Sequence, residues 1–302
     1  MKQKIRTLII IILFALQGSS LISQPDQDNP IKPGASLEKL AGGFLFTEGP
    51  ASDAKGNVYF TDQPNNRIMI WTTKGELITF MQPCGRSNGM YFDHKGYLWS
   101  CADEKNELWQ ISPDKKVTVV LGEFSGKPFN GPNDLWITPQ GGIYITDPFY
   151  PRTWWDHSAM PQEKQSVYFL KPDHKTIIMV DEDLSKPNGI IGTPDGKILY
   201  VSDIAGKKTW SYTISPDGIL TNKKLFCEMG SDGMSIDEKG NIYLTGNGVT
   251  IFDKRGKQIV NIPVPEKWTA NVCFGDTDGK GLFITASTGL YRIRMRFAGA
   301  DR

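Results

Sequence analysis

Six short stretches of the chain open alike. They begin at Glu48 (EGP), Asn88 (NGM), Asn133 (NDL), Asn188 (NGI), Asp232 (DGM) and Asn271 (NVC). Every one of these heads carries a side-chain oxygen, and none is Lys or Arg. Six such groups converging in a buried place are costly unless something binds them. Hard oxygen donors without His or Cys select a hard cation: Ca²⁺ first, with Mg²⁺, Mn²⁺ or Zn²⁺ as the other candidates. The carboxylates of Glu48 and Asp232 balance a divalent charge. Asparagine carbonyls complete such a shell without excess charge, and water fills the open positions. An Asn or Asp before Gly is also an ordinary turn signal. The recurrence at one position in six repeats is what points to a site.

The elements that position the heads repeat with them. Each head is followed by a short apolar run, a turn such as DAKGN or TPDGK, and a second apolar run. Asp and Gly supply the backbone conformations of tight hairpins. The flanking runs are rich in Val, Ile, Tyr, Phe and Trp, as half-buried strands are. Two more strands follow, RIMIW and ELITF in the first unit. Four antiparallel strands in roughly 40 residues is the period of a propeller blade. The chain therefore predicts an all-β fold, a six-bladed β-propeller with four-stranded blades. The last unit shows only three strands, and LEKLAGGF (37–44) is placed to supply the fourth, so that an N-terminal strand closes the ring. First strands of blades line the central channel, so the six heads ring one mouth of it. Asp62, Asp103, Asp147 and Asp203 end second strands on the same face, further out, and read as strand-end turn residues rather than ligands.

The bulk numbers narrow the function classes. A 302-residue chain with net charge +1 carries no global field that points to nucleic acid. Residues 1–23 hold Lys2, Lys4 and Arg6, then an apolar run from Leu8 to Leu16, then small polar residues. That order reads as a cleavable signal peptide too short for a membrane span, and it predicts a periplasmic or secreted protein. Residues 24–35 read as a polar leader and 36–302 as the propeller. Cys84, Cys101, Cys227 and Cys273 fit no metal or redox spacing. They read as buried thiols, with a Cys84–Cys101 bridge as the alternative that export permits. His94, His157 and His174 lie away from the heads, which argues against a serine triad.

The motifs TEGP (47–50), RSNGM (86–90), NGPNDL (130–135), YITDP (144–148), KPNGI (186–190), SDGM (231–234) and NVCFG (271–275), taken in order, resemble the senescence-marker-protein/gluconolactonase family. That family includes regucalcin and is similar to diisopropyl fluorophosphatase. The resemblance spans about residues 40–295. It implies a six-bladed propeller with a divalent metal in its channel, ligated at Glu48, Asn188 and Asp232. Asn133 matches a position that either ligates the metal or contacts substrate, while Asn88 and Asn271 map more weakly. Asp232 matches the residue proposed to accept a proton from water. The implied activity is opening of a sugar lactone, with the small lactone as the partner and no organic cofactor. A phosphotriesterase or other esterase on the same metal is the alternative, as is a non-catalytic, calcium-holding propeller. One departure is the long loop PFYPRTWWDHSAMPQEKQ (148–165). Its Phe149, Tyr150, Trp154 and Trp155 either roof the pocket or pack on the neighbouring blade. Arg86 and Trp268 precede two heads and join Tyr150, Asn88 and Asn133 as expected substrate contacts.

Overall fold

The computed structural model describes residues 29–300. The expected signal peptide and the start of the leader lie outside the described residues. Six four-stranded antiparallel sheets follow one another. Blade 1 comprises Thr47–Ser52, Val58–Asp62, Arg67–Trp71 and Leu77–Met81. Blade 2 comprises Ser87–Phe92, Leu98–Ala102, Glu107–Ile111 and Val117–Leu121. Blade 3 comprises Leu135–Ile137, Ile143–Asp147, Ser166–Leu170 and Ile177–Asp181. Blade 4 comprises Pro187–Gly192, Ile198–Asp203, Lys208–Ile214 and Leu220–Cys227. Blade 5 comprises Met234–Ile236, Ile242–Gly246, Gly248–Phe252 and Gln258–Ile262. Blade 6 takes Thr269–Gly275, Gly281–Ala286 and Gly289–Arg294 from the C-terminal end and Glu38–Gly42 from the N-terminal end.

That last pairing is antiparallel, with Glu38 opposite Arg292 and Gly42 opposite Gly289. It joins the two ends of the chain in one sheet, so blade 6 is not left one strand short. The expected fold and its mode of closure are both present. The leader, in contrast, is not wholly outside the fold. Ile31 bridges Met295, and Ile31, Ala35 and Leu37 pack on the core of the last blade. Apolar side chains recurring in a polar stretch find the exposed flank of blade 6.

The first strands touch one another in a closed circle, each meeting those of the blades before and after. They line the channel. Hairpin turns between first and second strands are pinned by side-chain oxygens. Asp53 Oδ1 accepts from the N–H groups of Lys55 and Asn57, Asp93 Oδ1 from Lys95 and Tyr97, and Asp237 Oδ1 from Lys239 and Asn241. Between blades the sheet faces bury Trp, Tyr, Phe, Ile, Leu and Val. At about 25 cal/mol per Å² of apolar surface these interfaces stabilise the ring far more than any single polar contact. All four cysteines are free and buried, so the Cys84–Cys101 bridge is not formed. On the hairpin-turn face the channel widens into a cavity of about 750 Å³ lined by Met90, Trp136, Ile190 and Met234, with Asp134 and Asn271 also on its wall.

Candidate metal centre

Each head sits where its first strand leaves the regular ladder. Pairing with the second strand slips between Glu48 and Ala51, between Ser87 and Met90, between Pro187 and Ile190, and between Thr269 and Asn271. Asn133 and Asp232 stand just ahead of the strands Leu135–Ile137 and Met234–Ile236. Irregularities of this kind re-aim a side chain out of the pleat.

The glycine that follows four of the heads has a spatial reason. A Cβ on Gly49 would stand 1.9 Å from the carbonyl oxygen of Asn88, and one on Gly233 would stand 1.9 Å from Cγ of Asn271. Gly89 and Gly189 are crowded in the same way by the heads Asn133 and Asp232. Asn88, Asn133, Asp232 and Asn271 thus each lean on the glycine of the blade before, and only a residue without a side chain lets the ring draw so tight there. Blades 3 and 6 break the rule: Val272 follows the head of blade 6, and Asp134 occupies the glycine position in blade 3. Its Oδ1 accepts from Leu135 N–H at 2.9 Å, and its Oδ2 lies 3.5 Å from Asn271 Nδ2.

Three carboxyl groups therefore share the ring. Glu48 is buried and accepts from Gly49 N–H at 2.7 Å. Its carboxyl is held well above the usual range, by burial first and then by the Asp232 and Asp134 charges. Asp134 is pushed up to about 8, chiefly by burial. Asp232 is pushed up to about 6 by burial, against hydrogen bonds from Trp268 and Asn188 and the Arg152 charge. Trp268 Nε1 donates to Asp232 Oδ2 at 2.5 Å, and Asn188 Nδ2 donates to Oδ1 at 2.8 Å.

Asn188 is oriented by two bonds, since the same Nδ2 also donates to the Tyr150 hydroxyl at 2.9 Å. Its Oδ1 is left buried and without a hydrogen-bond partner among the described residues, and so is Oδ1 of Asn88. An orphaned buried carbonyl costs about 1–3 kcal/mol. Orphaned amide oxygens beside mutually repelling acids are the donor set that suits a hard divalent cation. Among the described residues no three His, Cys, Asp or Glu side chains form a metal-holding group by themselves, so such a site depends on the amides.

Of the expected residues, Asn188 and Asp232 are hydrogen-bonded to each other and to Tyr150 and Trp268, and Glu48 lies close enough to feel the Asp232 charge. Asn88 and Asn133 are buried in adjacent heads, and Asn133 joins Gly89 through its carbonyl, which accepts the Gly89 N–H at 2.8 Å. Arg86 stands outside the ring, donating from Nη1 to the Pro64 carbonyl at 2.8 Å. The long loop packs partly on its neighbour and sends one ring to the heads. Trp155 packs back on blade 2, donating Nε1 to the Asp103 carbonyl at 2.6 Å and stacking on Phe149 and His157. Tyr150 reaches in to Asn188.

A family model describing the SMP-30/gluconolactonase/LRE-like region matches residues 46–288. The chain belongs to this family. The gluconolactonase of Zymomonas mobilis is 30% identical over 306 residues, covering 91% of this chain and 85% of the relative. The solved gluconolactonase of Xanthomonas campestris superposes with a TM-score of 0.82 at 26% identity, covering 88% of this chain and 91% of the other. Diisopropyl-fluorophosphatase of Loligo vulgaris is 31% identical over 267 residues, covering 79% of this chain and 84% of the relative.

Within this family propeller, sequence reasoning missed two site residues. Asp134 had a signal, the acid standing where four other heads have glycine. Arg152 had none: it is one residue of a loop whose docking depends on blades 2 and 4. Its Nε lies 3.0 Å from Asp103 Oδ2.

Proposed function

We propose that the protein is a metal-dependent hydrolase that opens a sugar lactone. The observation that carries this reading is the orphaned amide oxygen of Asn188 beside the Glu48–Asp232 pair, within a chain similar to two gluconolactonases. Glu48, Asn188 and Asp232 would hold the cation, Ca²⁺ first by donor chemistry, with Asn133 as a fourth ligand. A bound divalent cation supplies a Lewis acid for the lactone carbonyl and lowers the pKa of water.

The chain's own residues do the rest. Asp232 keeps a free lone pair on each oxygen beyond the bonds from Trp268 and Asn188. It takes the proton of the attacking water as that water adds to the carbonyl carbon. The ring C–O bond then breaks, and the proton passes to the departing ring oxygen, leaving a hydroxy acid. Trp268 and Asn188 fix the carboxylate plane, so no reorientation precedes the transfer. Tyr150 and Trp155 bring the loop over the mouth and limit competing solvent. Export to the periplasm or exterior is part of the reading, supported by the charged-then-apolar order of residues 1–23.

A second reading, hydrolysis of a phosphotriester at the same centre, is favoured by the similarity to the Loligo phosphatase. The test is hydrolysis of glucono-1,5-lactone followed by a pH indicator. Metal is stripped, then Ca²⁺, Mg²⁺, Mn²⁺ or Zn²⁺ is returned. Metal-dependent turnover is expected. Turnover of diisopropyl fluorophosphate but of no lactone would shift the reading to the second.

A further inference from the structure

Five side chains beside the ring form an alternating ladder. Lys186 Nζ lies 4.2 Å from the centroid of the Tyr150 ring, and the Arg152 guanidinium lies 5.6 Å from the same ring. Arg152 also lies 5.5 Å from the Trp154 ring, and Arg86 lies 4.5 Å from that ring. The order is cation, aromatic, cation, aromatic, cation. At its inner end Tyr150 bonds Asn188, so the ladder starts one ring length from the candidate metal centre.

The charges of this ladder are only partly balanced by the protein, through Asp103 and the more distant Asp232. Arg152 meets the buried Asp103 through Nε, and its terminal amino groups find no acceptor among the described residues. Arg86 has the half-exposed Glu104, 3.8 Å away, the Pro64 carbonyl on Nη1 and a weaker attraction to Asp103. Lys186 has no carboxylate within ion-pair distance among the described residues. Three like charges strung over two rings repel one another, and cation–π attraction offsets only part of that. The arrangement is nevertheless built in. Arg86 stands in the left-handed backbone region at φ 50°, unusual for a long side chain, and is held there because Asn66 Oδ1 accepts its N–H at 2.8 Å and that of Cys84 at 2.9 Å.

We propose that this ladder is an oxyanion subsite, and that the preferred lactone carries an acid group, phosphate or carboxylate, away from the ring carbonyl. The proposal rests on the lactonase reading for the word lactone, but the subsite itself can be read by binding alone. The Arg152 terminal groups offer paired donors to such an anion, and Arg86 and Lys186 add charge beside them. The aromatic rings between them hold the three cations apart at a fixed spacing.

The protein, with metal returned, is assayed on glucono-1,5-lactone, on its 6-phosphate and on glucaro-1,4-lactone. Calorimetry then compares binding of 6-phosphogluconate with that of gluconate. We expect kcat/KM to favour an acid-bearing lactone by about tenfold or more, mainly through KM. Arg152→Gln and Lys186→Gln should each shrink that ratio, and Arg152→Lys should restore part of it. Added salt should shrink it as well. The phosphate and carboxylate arms show which acid is selected. Equal kcat/KM for neutral and acidic lactones, with equal binding of the two acids, overturns the subsite and leaves the lactonase reading standing. Arg152-dependent binding of 6-phosphogluconate without turnover of any lactone keeps the subsite and sinks the lactonase reading. Neither turnover nor discrimination in binding overturns both.

Discussion

Two rings of acids stand on the same face of this propeller, and they do different work. The outer aspartates end second strands and are spent on backbone. Asp62 accepts from the N–H groups of Leu45 and Phe46, Asp147 from Asn130 and Gly131, and Asp203 from Ser185, Lys186 and Gly206. In each case the donors include the segment leading into that blade's own head. The inner acids nearest the candidate metal lean less on backbone: Glu48 has one backbone donor, Gly49, and Asp232 has side-chain donors alone, while Asp134 takes N–H groups from Leu135 and Ile190. An acid saturated by N–H groups is a clamp. An acid with spare lone pairs, buried among other acids, is a site awaiting positive charge.

Asp103 is the instructive exception. In blade 2 the segment before the head is held by Asn66 instead, which accepts from Cys84 and Arg86. Asp103 is released from clamp duty and turns to Arg152 and to Gln63, whose Nε2 lies 3.3 Å away. Burial pushes it up to about 6 even so. The same residue type at the same repeat position thus anchors the 148–165 loop.

The contrast between the rings breaks most sharply at Asp232. Asp232→Asn should lower kcat for the lactone by about 10³-fold. The Tm of the metal-stripped variant should not fall, because the change relieves repulsion within the inner ring. A stripped variant markedly less stable than its parent would mean that Asp232 is a clamp after all. Asp203→Ala should show the opposite pattern. Losing three N–H···O bonds to a charged acceptor costs roughly 3 kcal/mol, or a Tm drop of roughly 8 °C, with kcat nearly kept. Calorimetry beside the lactone assay compares the two variants directly.

The pH dependence sharpens the same distinction. Asp232 near 6 and Asp134 near 8 both lie above the ordinary aspartate value of 3.8. The folded, metal-stripped protein then binds more protons than the unfolded chain between about pH 4 and pH 8. Stability is fully present below that window and is lost as pH rises through it. Calcium should flatten this fall. Asp147, raised to about 7 by burial, adds the same slope with and without metal. The difference between loaded and stripped Tm curves therefore isolates the inner ring, and parallel curves would remove the metal from it. The smallest effect is expected at Asp103→Asn. Arg152 is partly exposed and can rehydrate, so stability should drop by only about 1 kcal/mol. Substrate KM should move more than kcat as the lid loosens, which steady-state kinetics would register.

The blade count, the four strands per blade, the closing strand 37–44 and the six heads were legible in the residues. Each rests on local chemistry: alternation over a few residues, an Asp or Thr that pins a turn, a repeat of fixed length. The repeat carried all six heads to one mouth, but only the family resemblance singled out Glu48, Asn188 and Asp232 among them. The glycines after the heads were visible as turn signals, but their actual reason is contact with the next blade, about 40 residues away. Asp134 in the ring, Asp103 turned to Arg152, and the ladder from Lys186 to Arg86 were settled by tertiary structure alone. They depend on how a loop from blade 3 docks on its neighbours, and on burial that decides which acids keep free lone pairs. No pattern along the chain encodes which blade a loop will lean on, because that choice is made by packing between segments far apart in sequence.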